Sequence, residues 1–452
     1  MGSWCSTRNG GHQPRGHVRG SWNVASVCLI VTVFPIRWEH VFKNWVIPQP
    51  SLYDIHHHLK LLVVEDKRKE VVQMVFSSPA GLLEDRRTHT AAKFLMAMLT
   101  EGTQDKEKAV ITDQLDRCGA MLLGSMTKDR FTLGLKTMPK YFLELLPLFA
   151  EVLAKPSLTE EGLARQKKVT QQQLSIAKES PLYLANEKIN TLLFGKDHPY
   201  SYTMEEEDIS SLQASDLRAL YEARAWYPGV VALSGKVDKA MIEAIQKSLV
   251  NLPSKAKPSF PSPTSQPSQE KRCFIDKEGP QSALFLETEI IELTHPDYFA
   301  LYILNYLLGG PYLGSRLMGN IREEKGHTYG INSWTHPHSY ATILGITAQV
   351  KKGFAEETYR AVCSEIKRLQ EEPISTEELK TVKENLKSTL RTWCDNKEAI
   401  ASMFMSYYFL GIDFKRLDQL YKKVEEVTPQ ELQRVAKEHL DSEKLYCVIV
   451  NK

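Results

Sequence analysis

TEEGLARQKKV, residues 159–169, comes back as TEELKTVKENL at residues 376–386, 217 positions later. A second pair keeps nearly the same distance: LQASDLRAL starts at Leu212 and VTPQELQRV at Val427, 215 apart. A steady period of this size means that one folding unit of roughly 200 residues occurs twice. Outward from these helices, the order of elements agrees on both sides. In the first half VVQMVFSS (71–78) reads as a strand and Thr90 to Leu99 as a helix. LLGSMT and RFTLGLKT follow as paired strands, then helices from Lys140. In the second, ALFLETEII (283–291) is followed by a helix from Tyr298 to Leu308, strands TYGINSWT and YATILGITAQV, and helices from Glu356. The closing strands VVALSGKV (230–237) and YCVIVNK (446–452) also correspond. Ser375 with Glu378, and Thr428 with Glu431 behind Pro429, have the spacing of capping boxes at helix starts.

The fold class is therefore α+β: two tandem homologous domains, each a mostly antiparallel sheet covered by helices on one face, forming a clam-like half chamber. Pro253 to Glu270 (PSKAKPSFPSPTSQPSQE) holds five prolines and five serines and reads as a solvated linker. It sets the expected boundaries: 1–45 an N-terminal extension or targeting segment, 46–252 the first domain, 253–270 the linker, 271–452 the second.

At 452 residues, 42% hydrophobic and 25% charged, the chain has the composition of a globular protein with more than one core. A formal net charge of +2 gives no field that would favour nucleic acid or an anionic membrane surface. Cys5, Cys28, Cys118, Cys273, Cys363, Cys394 and Cys447 form no C-x-x-C pair, and an odd number closes no disulfide framework, so they read as free, mostly packed thiols. VASVCLIVTVF (24–34) is too short for a stable membrane span. Behind Arg15 and Arg19 it resembles a secretory leader without a cleavage site, which favours the periplasm or cell envelope over the cytoplasm. MGSWCS also fits the permissive pattern for N-myristoylation, with Cys5 as a palmitoyl candidate, a match that chance readily produces.

The densest chemical signal is GGPYLGSRLMGNIREEKGHTYGINS (309–333). Ser315 to Lys325 reads as a helix stopped by Gly326, which puts Arg322 in its last turn and Tyr329 at the start of the next strand. A guanidinium and a phenol at one corner are donors suited to an amide carbonyl or an oxyanion. The plainer alternative pairs Arg322 with Glu323, Glu324 or a carbonyl and makes Tyr329 a core aromatic.

S-R-L-M-x-N-I-R-E-x-K-G-x-T-Y-G, with Leu-Gly-Gly ahead of it, resembles the C-terminal domain signature of the pitrilysin and insulinase group of zinc metallopeptidases, in its branch of processing-peptidase-like bacterial proteins. The likeness runs over about residues 50–452 and includes HPYSYTMEEEDISSL. It implies that Arg322 and Tyr329 act as the family's Arg-Tyr pair, gripping the substrate backbone and the reacting centre opposite the metal. Active members carry an inverted zinc motif, H-x-x-E-H, ahead of a Gly-Thr corner. Laid on KFLMAMLTEGT (93–103) by Gly102-Thr103, the two histidine positions hold Lys93 and Ala97, the catalytic glutamate position holds Met96, and the third ligand position falls on Gln173. None supplies a zinc ligand or a base for water, so the chain resembles a member without the zinc motif, expected to bind no metal and to be no enzyme on its own.

Other clusters do not replace that set. His56, His57 and His58 read as a solvated triplet whose neighbours point to opposite faces. His336 and His338 flank a proline in a turn, and His89 begins a helix. Leu308-Gly309-Gly310-Pro311 lacks the Lys-Ser/Thr of a phosphate loop, and MFMSYYFL (403–410) is read as helix core. The expected function is that of a non-catalytic, substrate-binding subunit of a heterodimeric zinc metallopeptidase. Its partner is a homologous chain carrying zinc, and its substrate an extended peptide added to a sheet edge. The alternative is a non-hydrolytic peptide-binding or scaffold protein, as in core proteins of respiratory complexes that resemble this family. An active lone peptidase with an unrecognised metal site is a third reading.

Overall fold

The computed structural model describes residues 47–79, 85–224, 228–252 and 263–451. Leader-like residues 24–34, the MGSWCS opening and the first part of the Pro/Ser stretch lie outside them. From Ile47 onward the chain makes one compact unit.

Its first sheet has the order β1-β2-β6-β3-β5-β4. The strands are β1 (Ser51–His56), β2 (Leu59–Glu65), β3 (Val72–Pro79), β4 (Met121–Met126), β5 (Arg130–Thr137) and β6 (Gly229–Gly235). The second has the order β7-β11-β8-β10-β9, from β7 (Arg272–Ile275), β8 (Gln281–Ile290), β9 (Thr328–Pro337), β10 (Thr342–Lys351) and β11 (Tyr446–Val450). Only β2 with β6 and β11 with β7 run parallel; every other pairing is antiparallel.

The helices of the first half are α1 (Arg86–Met98), α2 (Lys108–Arg117), α3 (Pro139–Ala154), α4 (Glu160–Lys178), α5 (Pro181–Phe194), α6 (Glu206–Ser211), α7 (Ala214–Arg224) and α8 (Lys239–Leu249). Those of the second are α9 (Tyr298–Gly309), α10 (Ala355–Glu371), α11 (Thr376–Asp395), α12 (Lys397–Leu410), α13 (Arg416–Glu426) and α14 (Pro429–His439). Among the described residues no helix is long and apolar enough to cross a membrane.

Strand alternation explains the layers. Val72, Met74 and Phe76 of β3, with Val231 and Leu233 of β6, share one core with Phe142, Leu145 and Phe149 of α3 and Ile245 of α8. The residues between them, Val230, Ala232, Ser234 and Ser77, are also buried, because α12 of the second half packs on β2, β3 and β6 from the other side. The second sheet shows the mirror arrangement. Its own α10 packs on β8 and β10, while Ala185, Ile189 and Phe194 of α5, from the first half, pack against Ala283, Phe285, Ile343 and Val448. Each half's own helices thus lie on one face, as the sequence implies, and the opposite face is closed by a helix from the other half. These two helices are the same element of the repeat: Pro181 and Lys397 start them 216 positions apart.

Two local details are finer than the sequence implies. Ser375 and Thr428 accept from the backbone N–H of Glu378 and Glu431 at 3.1 and 3.2 Å. The reciprocal half of each capping box is not made, because Glu378 holds Arg316 and Glu431 holds Lys423. The described end of the Pro/Ser stretch, exposed at Thr264, Gln266, Pro267, Gln269 and Glu270, is also tied down: Gln266 and Ser268 donate to the carbonyls of Phe194 and Leu192, both at 2.8 Å, satisfying the last turn of α5.

Candidate functional site

The helix expected from Ser315 to Lys325 winds as a π-helix over Met318–Glu324, and Gly326, at φ +63°, ends it. Met318 and Ile321 are buried beneath it. Arg316 donates twice to Glu378 of α11, at 2.8 and 2.9 Å, and Asn320 donates to Glu365 of α10 at 2.5 Å. Arg322, on this anchored turn, makes no side-chain hydrogen bond or ion pair among the described residues.

Tyr329 stands on a β-bulge of edge strand β9. Ala348 pairs with Ile331 and Val350 with Thr328, so Tyr329 and Gly330 together face Gln349 alone. Thr328 Oγ1 pins the bulge, accepting from Gly330 N–H at 3.1 Å and donating to the Gln349 carbonyl at 2.5 Å. The extra residue turns the phenol outward: Tyr329 is 84% exposed. The plainer reading, a core tyrosine and an arginine paired to Glu323 or Glu324, is not what the fold makes. Arg322 and Tyr329 arrive at one corner with their donors uncommitted.

The second half of the site lies on α1. Asp85 caps it, accepting from Thr88 N–H at 2.8 Å. At its far end Gly102, at φ +145°, makes a corner where a Cβ would stand 3.1 Å from the Lys106 carbonyl. Glu101, buried there, takes Lys108, Arg165 and Gln166. So anchored, α1 packs on β4, the open edge of the first sheet, with Met96 against Gly124. Met121 and Leu123 of β4 are 53% and 60% exposed, unusual for an edge strand unless something covers it.

Of the four positions tied to the zinc motif, Met96 is sealed in the core of the first sheet, Lys93 and Ala97 are half-buried on the adjoining stripe, and Gln173 is exposed on α4. A thioether in a hydrocarbon core, a methyl group and a neutral amide do not make a zinc donor set, and the Lys93 ammonium repels a dication. These residues do not fit the metal.

What they do make is a polar cluster between α1 and α5. His89 and Lys93, four residues apart, share a face of α1. His89 is 5% exposed, yet neither ring nitrogen has a partner. Burial, then the charges of Lys93 and Lys128, push its pKa down to about 3, so the ring is neutral. Burial also lowers the Lys93 pKa, against the upward pull of the Glu187 carboxylate on α5. The Glu187 pKa itself is raised by burial, which outweighs the lowering effect of the neighbouring Tyr183. Lys128, at the tip of the β4–β5 hairpin, donates to Asn190 and lies 5.5 Å from the Tyr200 ring centre. Burial lowers the pKa of Lys128 and raises that of Glu287 on β8, each charge resisting the other's shift.

Beside Lys128, Asp129 ties the two halves together. Its carboxylate accepts from Tyr200 Oη at 2.6 Å and from Ser339 N–H at 3.2 Å, and lies 3.1 Å from His338 Nδ1. His338, read from sequence as a turn residue, is thus a tether, and the His336 ring lies tilted beside it, centres 4.4 Å apart. His56 ends β1 and His57 and His58 form the β1–β2 turn, with His56 Nδ1 accepting from His58 N–H. Among the described residues the one His/Asp group with metal-ligand spacing is His295, Asp297 and His439. Asp297 there already accepts both Arg434 nitrogens, at 2.6 and 3.1 Å, and its carboxyl is held well below the usual range, first by that bond. A guanidinium in that place makes it an ion-pair network.

Sequence reasoning singled out Arg322, Tyr329 and the altered motif positions. It missed the His89–Lys93 face, although the four-residue spacing signals a shared face, and the Asp129 tether, which only the tertiary fold brings together.

Residues 62–205 match the family described as Insulinase (Peptidase family M16), and residues 229–386 match Peptidase M16 inactive domain. An uncharacterized zinc protease of Bacillus subtilis, YmxG, is 22% identical over 355 residues, covering 76% of this chain and 84% of that protein. A crystal structure of a peptidase M16 inactive domain from Pseudomonas fluorescens superposes with a TM-score of 0.78 at 24% identity, covering 89% of this chain and 98% of the other. A protease from Helicobacter pylori gives 0.79 at 18% identity, covering 90% and 100%. Two family matches in sequence order, on a fold shared over about nine-tenths of the chain, place it in the M16 peptidase family.

Proposed function

We propose that this chain is the substrate-holding, non-catalytic subunit of a peptidase assembly, working with a homologous chain that carries the zinc. The observation that carries the reading is the corner formed by the anchored π-helix and the β9 bulge, where Arg322 has no hydrogen-bond or ion-pair partner among the described residues and Tyr329 is 84% exposed. Placing a bulky phenol in solvent on a bulge has no packing benefit, and it leaves two donors free for a peptide carbonyl whose oxygen gains charge during reaction. The open β4 edge supports an extended peptide held by backbone hydrogen bonds. The residues at Lys93, Met96, Ala97 and Gln173 support a chain that holds no zinc on α1.

In the mixture with its partner, Arg322→Ala or Tyr329→Phe should lower turnover on the order of 10²-fold to 10³-fold while the complex still assembles. Unchanged turnover would remove these residues from the mechanism. Metal analysis of the pure chain should find zinc far below one equivalent. Stoichiometric zinc with chelator-sensitive cleavage would overturn the assignment of a non-catalytic subunit.

A further inference from the structure

Arg322 and Tyr329 make no side-chain hydrogen bond or ion pair among the described residues, so the backbone alone sets their separation. The connection between them is thinly fixed. Glu323, Glu324 and Lys325 are exposed, and a Cβ at Gly326 would meet nothing within 4 Å. Between Ile321 and Thr328 the one buried side chain is His327, 4% exposed. Its N–H donates to the Ile321 carbonyl at 3.0 Å, beside Arg322 on the π-helix, and its carbonyl accepts from Lys351 N–H at 2.9 Å, at the end of β10. The ring packs on the start of α10. Nδ1 lies 3.3 Å from Oγ1 of the fully buried Thr358, Nε2 lies 3.6 Å from Glu357 Oε1, and the Phe354 ring centre stands 4.7 Å away. One residue thus touches the turn that carries Arg322, the strand pair that carries Tyr329, and a helix that carries neither.

We propose that His327 is the positioning residue of this corner: its ring, clamped on α10, fixes where Tyr329 stands relative to Arg322. This rests on the reading of the pair as donors to a peptide carbonyl. A donor held out of place loses most when charge develops on its acceptor, so the clamp acts on the rate of the chemical step more than on peptide binding.

Three variants separate the clamp from general damage. His327→Leu keeps apolar bulk beside Phe354 and drops the bond to Thr358; Thr358→Val drops the same bond from the helix side; His327→Asn puts a polar atom where Nδ1 stands. In the pure chain, hydrogen exchange should show protection of the amides at 327, 330 and 351 falling about tenfold in the first two, as for one buried hydrogen bond, and staying near the parent in the third. The first sheet should be unchanged in all. Unaltered protection at the corner overturns the clamp. In the mixture with the partner, His327→Leu and Thr358→Val should lower kcat about tenfold with KM within about twofold, and His327→Asn should keep most of the turnover. With Tyr329 already changed to Phe, His327→Leu should cost little more. An equal loss in both backgrounds overturns the positioning role, since a damaged fold costs the same with or without the phenol. Loss in Tyr329→Phe but none in His327→Leu also overturns it and leaves the corner as a peptide site. Should Tyr329→Phe itself leave turnover unchanged, the function proposed for the corner falls, and the exchange result alone decides whether His327 clamps it.

Discussion

A single carboxylate, Asp129, shows how one residue couples the two halves. Burial pushes its pKa up, but the hydrogen bonds from His338 and Tyr200, the His338 charge and the Ser339 N–H outweigh that and hold it at about 2. An unfolded aspartate titrates near 3.9, so the native state prefers the ionised form. The stabilisation is complete above about pH 4 and is lost as pH falls toward 2. Asp129→Asn should therefore cost on the order of 2 kcal/mol at neutral pH in denaturant unfolding, and should flatten the fall in stability between those pH values. Identical acid limbs in the two proteins would deny the tether its role. At this scale the sequence was legible where a motif has fixed spacing, as at Arg322 and Tyr329. It was silent where partners lie far apart in the chain, as with Asp129 and His338.

At the scale of elements, the strands and helices follow from alternation and periodicity, and their ends from caps such as Thr159, Ser375 and Thr428. The irregularities do not follow. Thr-Tyr-Gly at 328–330 has the pattern of ordinary strand, and nothing in it announces that Thr328 will fold its hydroxyl back onto Gly330 to make a bulge. The π-helix is equally invisible, since the spacing of Met318 and Ile321 suits an α-turn as well. Where a glycine permits close approach, the element scale yields a prediction. Gly345 of β10 pairs with Trp334 of β9, and a Cβ there would stand 2.1 Å from the indole Cζ2. The ring lies across the bare strand, so Gly345→Ala must displace it, at a cost of about 1–3 kcal/mol. A thermal melt reads this directly, and an unshifted midpoint would mean that the indole has room to move.

On the scale of the whole molecule, the repeat predicted two similar halves but not how they are joined. An amphipathic helix shows that it buries one face, not which sheet it buries it against. So α5 and α12, with ordinary apolar patterns, gave no sign that each crosses to the other half. The crossing makes the two sheets interdependent. A fragment of residues 47–252 lacks the cover of α12, and one of residues 263–451 lacks α5. Expressed separately, each should stay unfolded or aggregate, while co-expression should restore a compact complex. The intact chain should unfold in a single transition, with helix and aromatic signals coinciding. Two separable transitions, or a folded single half, would contradict this. The exchange also bears on synthesis. When the ribosome has released the first sheet, the helix that must close its outer face, ending at Leu410, is still more than a hundred codons away. The nascent chain must emerge with that surface bare, so it should be most prone to aggregate in the interval before translation nears its end.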